Sequence, residues 1–334
     1  MNEAAGVPVH ILQTTPLLPV ADALLKDRFT VHRLWEQEDA ARYLEEIGPG
    51  IRGIATTHQF GAVNRILDQL PNARIISSFG VGYEHIDAED AARRGIVVTN
   101  TPDVLDDDVA DLALALTLAT LRQIPQADRH VRSGRWLSGP YPLTPTLRGR
   151  TVGILGMGRI GKAIARRFEG FGVDIAYHAR HRQDGLGYAY HDSAVALAAA
   201  SDLLVVIVPG GAATRHLVDT QVLNALGPQG VLINVARGSV VDEAALVEAL
   251  EEGRILAAGL DVYQDEPNVP ARLLAMDQLV LLPHVGSATV HTRNAMARLV
   301  ADNLLSWFDG KGPLTPVPES RAVLEGMTHS NLVK

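Results

Sequence analysis

Three glycines in the run Gly156-Met157-Gly158-Arg159-Ile160-Gly161 stand between a strand-like run, Thr151–Leu155, and a stretch that reads as a helix from Arg159 to about Phe171. No other feature of the chain constrains its fold as tightly. Glycines at this spacing let a strand turn sharply into a helix and let the backbone approach a ligand. The first helical turn then offers unbonded N–H groups and a positive dipole end to a diphosphate. A tight strand–helix turn with no ligand is the plain alternative. Gly156-x-x-x-x-Gly161-Lys162 also matches the start of a triphosphate-binding loop, but Ala163 stands where that loop needs a hydroxyl for Mg²⁺.

Around this loop, short apolar runs alternate with helix-like segments, the pattern of a parallel α/β sheet covered on both faces. Strands are expected at Val7–Leu12, Ile51–Thr57, Ala73–Phe79 and Ile96–Asn100, with helix-like segments at Ala21–Asp27, Gln37–Glu46 and Val63–Leu70 between them. A long apolar helix is expected from Pro102 to Arg122, its acids Asp103, Asp106, Asp107 and Asp108 placed where a helix dipole favours them. Gly134 to Gly149 reads as irregular. A second alternation follows, with strands at Val173–His178, Leu203–Val208, Val231–Val235, Ala257–Val262 and Leu279–Leu282, a helix at Asp242–Glu252, and a tail helix near Thr292–Asp309.

A length of 334 residues suits about two domains. The hydrophobic fraction is 47% with only 5% aromatic, so the core is aliphatic, and a disordered chain is excluded. The net charge of −8 lacks the basic excess that binds nucleic acid or anionic lipid. Zero cysteines remove disulfides, thiolate nucleophiles, thiolate zinc sites and iron–sulfur clusters. No metal site is expected. The longest apolar run, Val109 to Leu121, is too short to span a bilayer and contains Asp111, and Met1-Asn2-Glu3-Ala4-Ala5 has no basic leader. A cytoplasmic protein with no membrane partner is the expectation.

The type of dinucleotide is read at the end of the second strand of the alternation, where an acid would bond a ribose 2′-hydroxyl. This chain has Tyr177-His178-Ala179-Arg180-His181-Arg182, with no acid before Asp184. Arg180, with Arg182, suits a 2′-phosphate through its planar fork of donors. NADP(H) is therefore favoured, with NAD(H) bound less tightly.

Three further segments follow predicted strands: Asn234-Val235-Ala236-Arg237-Gly238-Ser239, Gly259-Leu260-Asp261-Val262-Tyr263-Gln264-Asp265-Glu266-Pro267, and Leu282-Pro283-His284-Val285-Gly286-Ser287. An Arg, an acid and a His at successive strand ends suit hydride transfer to a carbonyl. Arg237 would bind and polarise a 2-oxo acid, His284 would give a proton to the developing alkoxide, and Glu266 would fix the imidazole. Singly, each has a structural reading, a salt bridge for the Arg and a core histidine for the His.

Taken together, the glycine loop, Val235-Ala236-Arg237-Gly238, Asp265-Glu266-Pro267 and Pro283-His284-Val285-Gly286 resemble the D-isomer-specific 2-hydroxyacid dehydrogenases. Within that family, Thr99-Asn100-Thr101-Pro102-Asp103-Val104-Leu105 and the Arg-bearing strand end are most similar to the NADPH-dependent glyoxylate/hydroxypyruvate reductase branch. The resemblance implies two Rossmann/flavodoxin-like parallel-sheet domains with a cleft between them. Residues 1–100 with 289–334 would form a discontinuous substrate-binding domain, and 101–288 the dinucleotide-binding domain. It further implies Arg237, Glu266 and His284 as the catalytic set, and Phe79, Val81 and Gly82 with Arg237 and His284 at the substrate. Gly156, Gly158, Arg159, Ile160, Gly161, Arg180, Arg182, Pro209, Thr214, Val235, Ala236, Asp261 and Gly286 would lie at the cofactor. The family is usually dimeric, and Trp136 is similar to a tryptophan that a partner subunit presents to the active site; a packing role for it is the alternative. Two departures stand out: Asp106 where relatives often carry Thr, and Gly210-Gly211 after Pro209 in place of Leu-Thr.

The resemblance leaves reductases of 2-ketogluconate or aryl pyruvates open. A reading of another class is a dinucleotide-sensing binding protein akin to the corepressors related to this family, and turnover of 2-oxo acids separates the two.

Overall fold

The computed structural model describes residues 8–61 and 63–327. Backbone contacts divide the chain into two units, one formed by the chain up to Leu105 together with the segment from Thr289 onward, the other by Asp106–Ala288.

The first unit begins with β1 (His10–Gln13), α1 (Pro19–Arg28), β2 (Thr30–Arg33), α2 (Ala40–Ile47), β3 (Ile51–Thr57), β4 (Ile75–Phe79), α3 (Ala88–Arg93) and β5 (Val97–Thr99). All pairings are parallel, in the order β2-β1-β3-β4-β5, a doubly wound arrangement of the flavodoxin type. The expected strand at Val7–Leu12 is β1, displaced toward Gln13, and Val7 lies outside the described residues. β2 was not expected, because as an edge strand it buries none of its four residues and so writes no apolar run. The helix-like segment expected at Val63–Leu70 is a 3₁₀ helix, Val63–Gln69, that buries Val63 and Leu67.

The second unit opens with α4 (Asp106–Leu121) and α5 (Ile124–Arg132), then runs β6 (Thr151–Leu155), α6 (Arg159–Glu169), β7 (Asp174–His178), β8 (Ala189–Tyr190), α7 (Ala194–Ala199), β9 (Leu203–Val206), α8 (Thr220–Leu226), β10 (Val231–Asn234), α9 (Glu243–Glu251), β11 (Ala257–Leu260), α10 (Ala271–Leu274) and β12 (Leu279–Leu281). α4 starts four residues later than the expected Pro102. Asp103 adopts a left-handed φ of 69°, which no helix continues through, so only Asp106, Asp107 and Asp108 occupy the first turn.

The seven strands are all parallel in the order β12-β11-β10-β9-β6-β7-β8. Counted from β6 as the first strand, this is the Rossmann order 3-2-1-4-5-6 with a seventh strand added beyond the sixth. The order reverses between β6 and β9, so a crevice for a ligand opens beyond the carboxyl ends of these two strands. The central strands β6, β9 and β10 are almost fully buried, as a sheet covered on both faces requires.

The chain then returns to the first unit as α11 (Val290–Phe308) and α12 (Arg321–Gly326). α11 lies against the sheet where β3 carries Gly53, whose missing side chain would come within 3.1 Å of Leu304 and Phe308. Among the described residues, no helix is long and apolar enough to cross a membrane.

Candidate active site

The expected catalytic and cofactor residues of the second unit follow the carboxyl ends of its strands, whereas Asp106 opens α4 and Trp136 lies in a turn after α5. After β6, Gly156 adopts φ +110°, and a Cβ there would meet the Ile207 carbonyl oxygen at 2.6 Å. A Cβ on Gly161 would stand 2.1 Å from the Gly156 carbonyl oxygen, so α6 packs on the strand only with glycine there. Fold alone explains these two. Gly158 is different: a Cβ would touch nothing within 4 Å, and this residue is the N-cap of α6 with no side-chain cap. A bare cap facing open space, with the uncapped amides of a helix behind it, fits a diphosphate and is not explained by a turn alone.

The glycine loop is tied to the next strand end by Gly156 N donating to the His178 carbonyl at 2.9 Å. Two residues past His178, Arg180 is exposed, as are His181 and Arg182, and none of the three has a hydrogen-bond or ion-pair partner among the described residues. Arg180 and Arg182 thus follow the strand end that is bonded to the glycine loop, with no acid between them. Beyond β9, Pro209 and Thr214 belong to one turn: the Thr214 hydroxyl donates to the carbonyls of Pro209 (2.7 Å) and Gly211 (3.3 Å) and closes its own loop.

A pair of buried polar residues, each 1% exposed, sits at two neighbouring strand ends: Asn234 is the last residue of β10 and Asp261 the first after β11. Asp261 N donates to the Asn234 carbonyl at 3.0 Å. The Asn234 amide holds the segment that follows it: its Oδ1 accepts from Ala236 N and its Nδ2 donates to the Arg237 carbonyl, each at 3.1 Å. Arg237 also donates to the Ala236 carbonyl at 2.6 Å. Gly238 follows, pressed so closely on the Tyr263 backbone that a Cβ would overlap its carbonyl.

Asp261 grips the segment beyond β12. Its carbonyl accepts from His284 N, its Oδ1 from Val285 N and its Oδ2 from Gly286 N, all at 2.8 Å. His284 itself is held at φ +53°, a left-handed conformation that costs a residue with a Cβ about 1–3 kcal/mol. Three consecutive amides on one residue offset that strain. Burial pushes the Asp261 carboxyl above its ordinary range, against the opposing pull of the Val285 and Gly286 amides.

The His284 ring meets Glu266: Nδ1 to Oε2 is 2.7 Å, and the other carboxylate oxygen accepts from Tyr263 N at 3.0 Å. Glu266 is thereby fixed at both oxygens. Burial, with the Asp261 carboxylate nearby, pushes the Tyr263 phenol up to about 12, so it stays a neutral donor to the Leu282 carbonyl at 2.9 Å. The structure therefore brings Glu266 and His284 into contact, and Asn234 and Asp261 hold the backbone on which Arg237 and His284 stand. The sequence places Asn234 in a marked segment but does not reveal what it does, since that depends on which strand ends are neighbours.

Phe79, Val81 and Gly82 belong to the other unit, at the end of β4. Thr101 Oγ1 accepts from Gly80 N at 3.0 Å, and Asn100 Nδ2 donates to the Val81 carbonyl at 2.8 Å, so the loop is held from the segment after β5. Among the described residues nothing accepts from the Val81 and Gly82 amides. Phe79 is buried, with the Arg293 guanidinium 5.5 Å from its ring centre.

Known proteins share the fold and much of the sequence. A family model, D-isomer specific 2-hydroxyacid dehydrogenase, NAD binding domain, matches residues 114–286, all within the second unit. A glyoxylate/hydroxypyruvate reductase A of Arabidopsis thaliana is 47% identical over 92% of this chain and 99% of its own length. A hydroxyphenylpyruvate reductase of Plectranthus scutellarioides is 46% identical over 92% and 99%. Among solved structures, an NADPH-dependent glyoxylate/hydroxypyruvate reductase of Sinorhizobium meliloti, in complex with NADP and malonate, is 52% identical and superposes with a TM-score of 0.89 over 94% of this chain and 98% of that one.

Proposed function

The chain belongs to the D-isomer-specific 2-hydroxyacid dehydrogenases, and on that footing we propose that it reduces small 2-oxo acids such as glyoxylate and hydroxypyruvate to D-2-hydroxy acids with NADPH. The observation that carries the reading is the His284–Glu266 contact of 2.7 Å on a backbone held by Asp261. Glu266 accepts from Nδ1 and is itself immobilised by Tyr263 N, so the proton passes through Nε2 of His284 to the carbonyl oxygen as it becomes an alkoxide. Arg237 binds the carboxylate and polarises the adjacent carbonyl. A bound reduced nicotinamide supplies the hydride.

The glycine loop, Gly156 to Gly161 with Arg159 and Ile160, receives the diphosphate on the amides of α6. Pro209, Thr214, Val235, Ala236, Asp261 and Gly286 complete the cofactor site. Arg180 and Arg182 pair with a 2′-phosphate, which sets the preference for NADPH over NADH; their lack of a partner among the described residues supports this. Phe79, Val81 and Gly82 are assigned to substrate binding on the strength of the Val81 and Gly82 amides, for which no acceptor stands among the described residues.

The active form proposed is a homodimer. Ile124, Val131, Trp136, Leu137 and Leu143, all within residues 124–143, are apolar and exposed, Leu137 to 96% and Leu143 to 102%, and a second copy of the chain would cover them. Light scattering checks this.

Initial rates with glyoxylate, hydroxypyruvate, 2-ketogluconate and hydroxyphenylpyruvate, each with NADPH and with NADH, test the proposal. The expected result is the highest kcat/KM for the two small acids with NADPH. Preference for an aryl or sugar acid moves the substrate assignment within the family, and tight cofactor binding without turnover of any 2-oxo acid refutes an enzyme.

A further inference from the structure

Arg159 is the first residue of α6, directly behind the open Gly158 cap, and its guanidinium does not stand alone. Asp106, the first residue of α4, places its Oδ2 3.4 Å from Arg159 Nε. The acid is the more enclosed partner, its side chain 16% exposed against 58% for Arg159. Deeper along the same two helices, Asp107 and Asp111 both pair with Arg167, so the acids of α4 face the arginines of α6 over two turns. The two pairs at Arg167 lie a further two helical turns from the glycine loop and serve to hold α4 on α6. The Asp106–Arg159 pair differs because it stands at the helix end to which the diphosphate would bind. A half-buried carboxylate at that end opposes an anion there and occupies the nearest cation.

We propose that Asp106 limits the affinity of this chain for its dinucleotide by holding Arg159 away from the diphosphate. On binding, Arg159 exchanges the carboxylate for a phosphate oxygen, and Asp106 remains as a like charge beside it. The cofactor is therefore held less tightly than the glycine loop and Arg159 alone would hold it, and it leaves faster after each turnover. This suits a reductase that must exchange oxidised for reduced cofactor in every cycle. The inference rests on the assignment of the glycine loop to a dinucleotide.

The test is the Kd of NADPH, read from nicotinamide fluorescence without substrate, for the whole chain and for Asp106→Asn, Arg159→Gln and the double variant. Asp106→Asn is expected to tighten binding about tenfold, equivalent to ~1.4 kcal/mol, with the gain appearing as a slower off-rate in stopped-flow displacement. Arg159→Gln weakens binding. In the double variant, the gain from Asp106→Asn falls to about threefold or less, because most of it acts through Arg159. Asp107→Asn, which removes an acid from the same turn but one paired to Arg167, leaves Kd within twofold. Should Asp106→Asn fail to fold, Asp106→Ser removes the same charge and carries the same expectation. An unchanged or weaker Kd in the charge-removed variant overturns the proposal, as does a full gain retained without Arg159. Failure of the unaltered chain to bind either NADPH or NADH overturns the cofactor reading itself, and does so before any variant is measured.

Discussion

Replacing Asp261 by Asn tests whether this buried carboxylate works through the His284 loop or through the cofactor. The carboxylate accepts from Val285 N and Gly286 N, both at 2.8 Å. Asparagine keeps one acceptor oxygen and turns an NH₂ toward the other amide. One charge-assisted bond, worth about 1.5–3 kcal/mol, is lost, and one buried N–H then faces a donor at a cost of about 1–3 kcal/mol. Against this loss, the cost of burying a charge disappears. That cost outweighs the two amide bonds, since the Asp261 carboxyl sits above its ordinary 3.8 despite them. The global stability of the variant therefore changes little, by about 1–2 kcal/mol, or a few degrees in Tm. The loop changes more. The segment carrying His284, at φ +53°, is then held by two bonds to residue 261 in place of three, and a displacement of about 1 Å in a reacting group costs up to about 100-fold in rate.

The expected result is a kcat for glyoxylate lowered about 30- to 100-fold, with the Kd of NADPH within about threefold of the unaltered chain. The sign of the pH dependence follows from the raised carboxyl. Its folded value lies above 3.8, so on acidification the folded protein takes up this proton before the unfolded chain does. The stabilisation linked to that proton is fully present below 3.8 and is lost as pH rises through the raised value. Activity moves the other way, because a protonated Asp261 no longer accepts from both amides. The unaltered enzyme thus loses kcat as pH falls through a window above 3.8 without losing Tm from this group, and Asp261→Asn lacks that step. A kcat within twofold of the unaltered enzyme, or a loss confined to NADPH affinity, would refute the reasoning.

Three more outcomes are expected. Arg180→Ala weakens NADPH at least 30-fold by titration and NADH by less than threefold; equal losses exclude a 2′-phosphate role, since a charge-assisted bond of about 2 kcal/mol is at stake only in the first case. Gly161→Ala and Gly158→Ala separate fold from ligand: the first puts a Cβ 2.1 Å from a backbone oxygen and lowers Tm sharply, whereas the second meets no protein atom, leaves Tm unchanged and weakens the cofactor. Glu266→Gln, which keeps a hydrogen-bonding side chain beside His284 but removes its charge, lowers kcat by about 10²-fold or more with NADPH binding intact; an unaltered rate would remove Glu266 from the catalytic set.

The parts of the fold legible in the sequence are those whose burial is written locally. β6, β9 and β10 are covered on both faces and appear as short, mostly apolar runs. The edges are silent: β2 buries nothing, and β8 is two residues long. The start of α4 was misplaced for a similar reason. Pro102 and a row of acids satisfy every preference of a helix start, and only the left-handed Asp103 shows that the chain turns once more before the helix begins.

The same division between local and assembled information runs through the site. Gly156, Gly161, Arg237, Glu266 and His284 stand out in the sequence because the roles proposed for them need a residue type at a place along one strand end. What Asn234 and Asp261 hold is not legible, although the sequence marks Asp261, because each works on a segment whose neighbourhood exists only once β10, β11 and β12 lie side by side. Asn234 faces its own loop and Asp261 faces the next, and the bond from Asp261 N to the Asn234 carbonyl joins the two. The positions of Arg237 and His284 are therefore not independent: a change that lifts Asp261 off Asn234 moves both. Double substitution of Asn234 and Asp261 should accordingly cost less in kcat than the product of the single effects, the behaviour of residues that act as one unit. Full multiplicative loss would show instead that the two loops are held separately, and that the shared strand ends only happen to place them side by side.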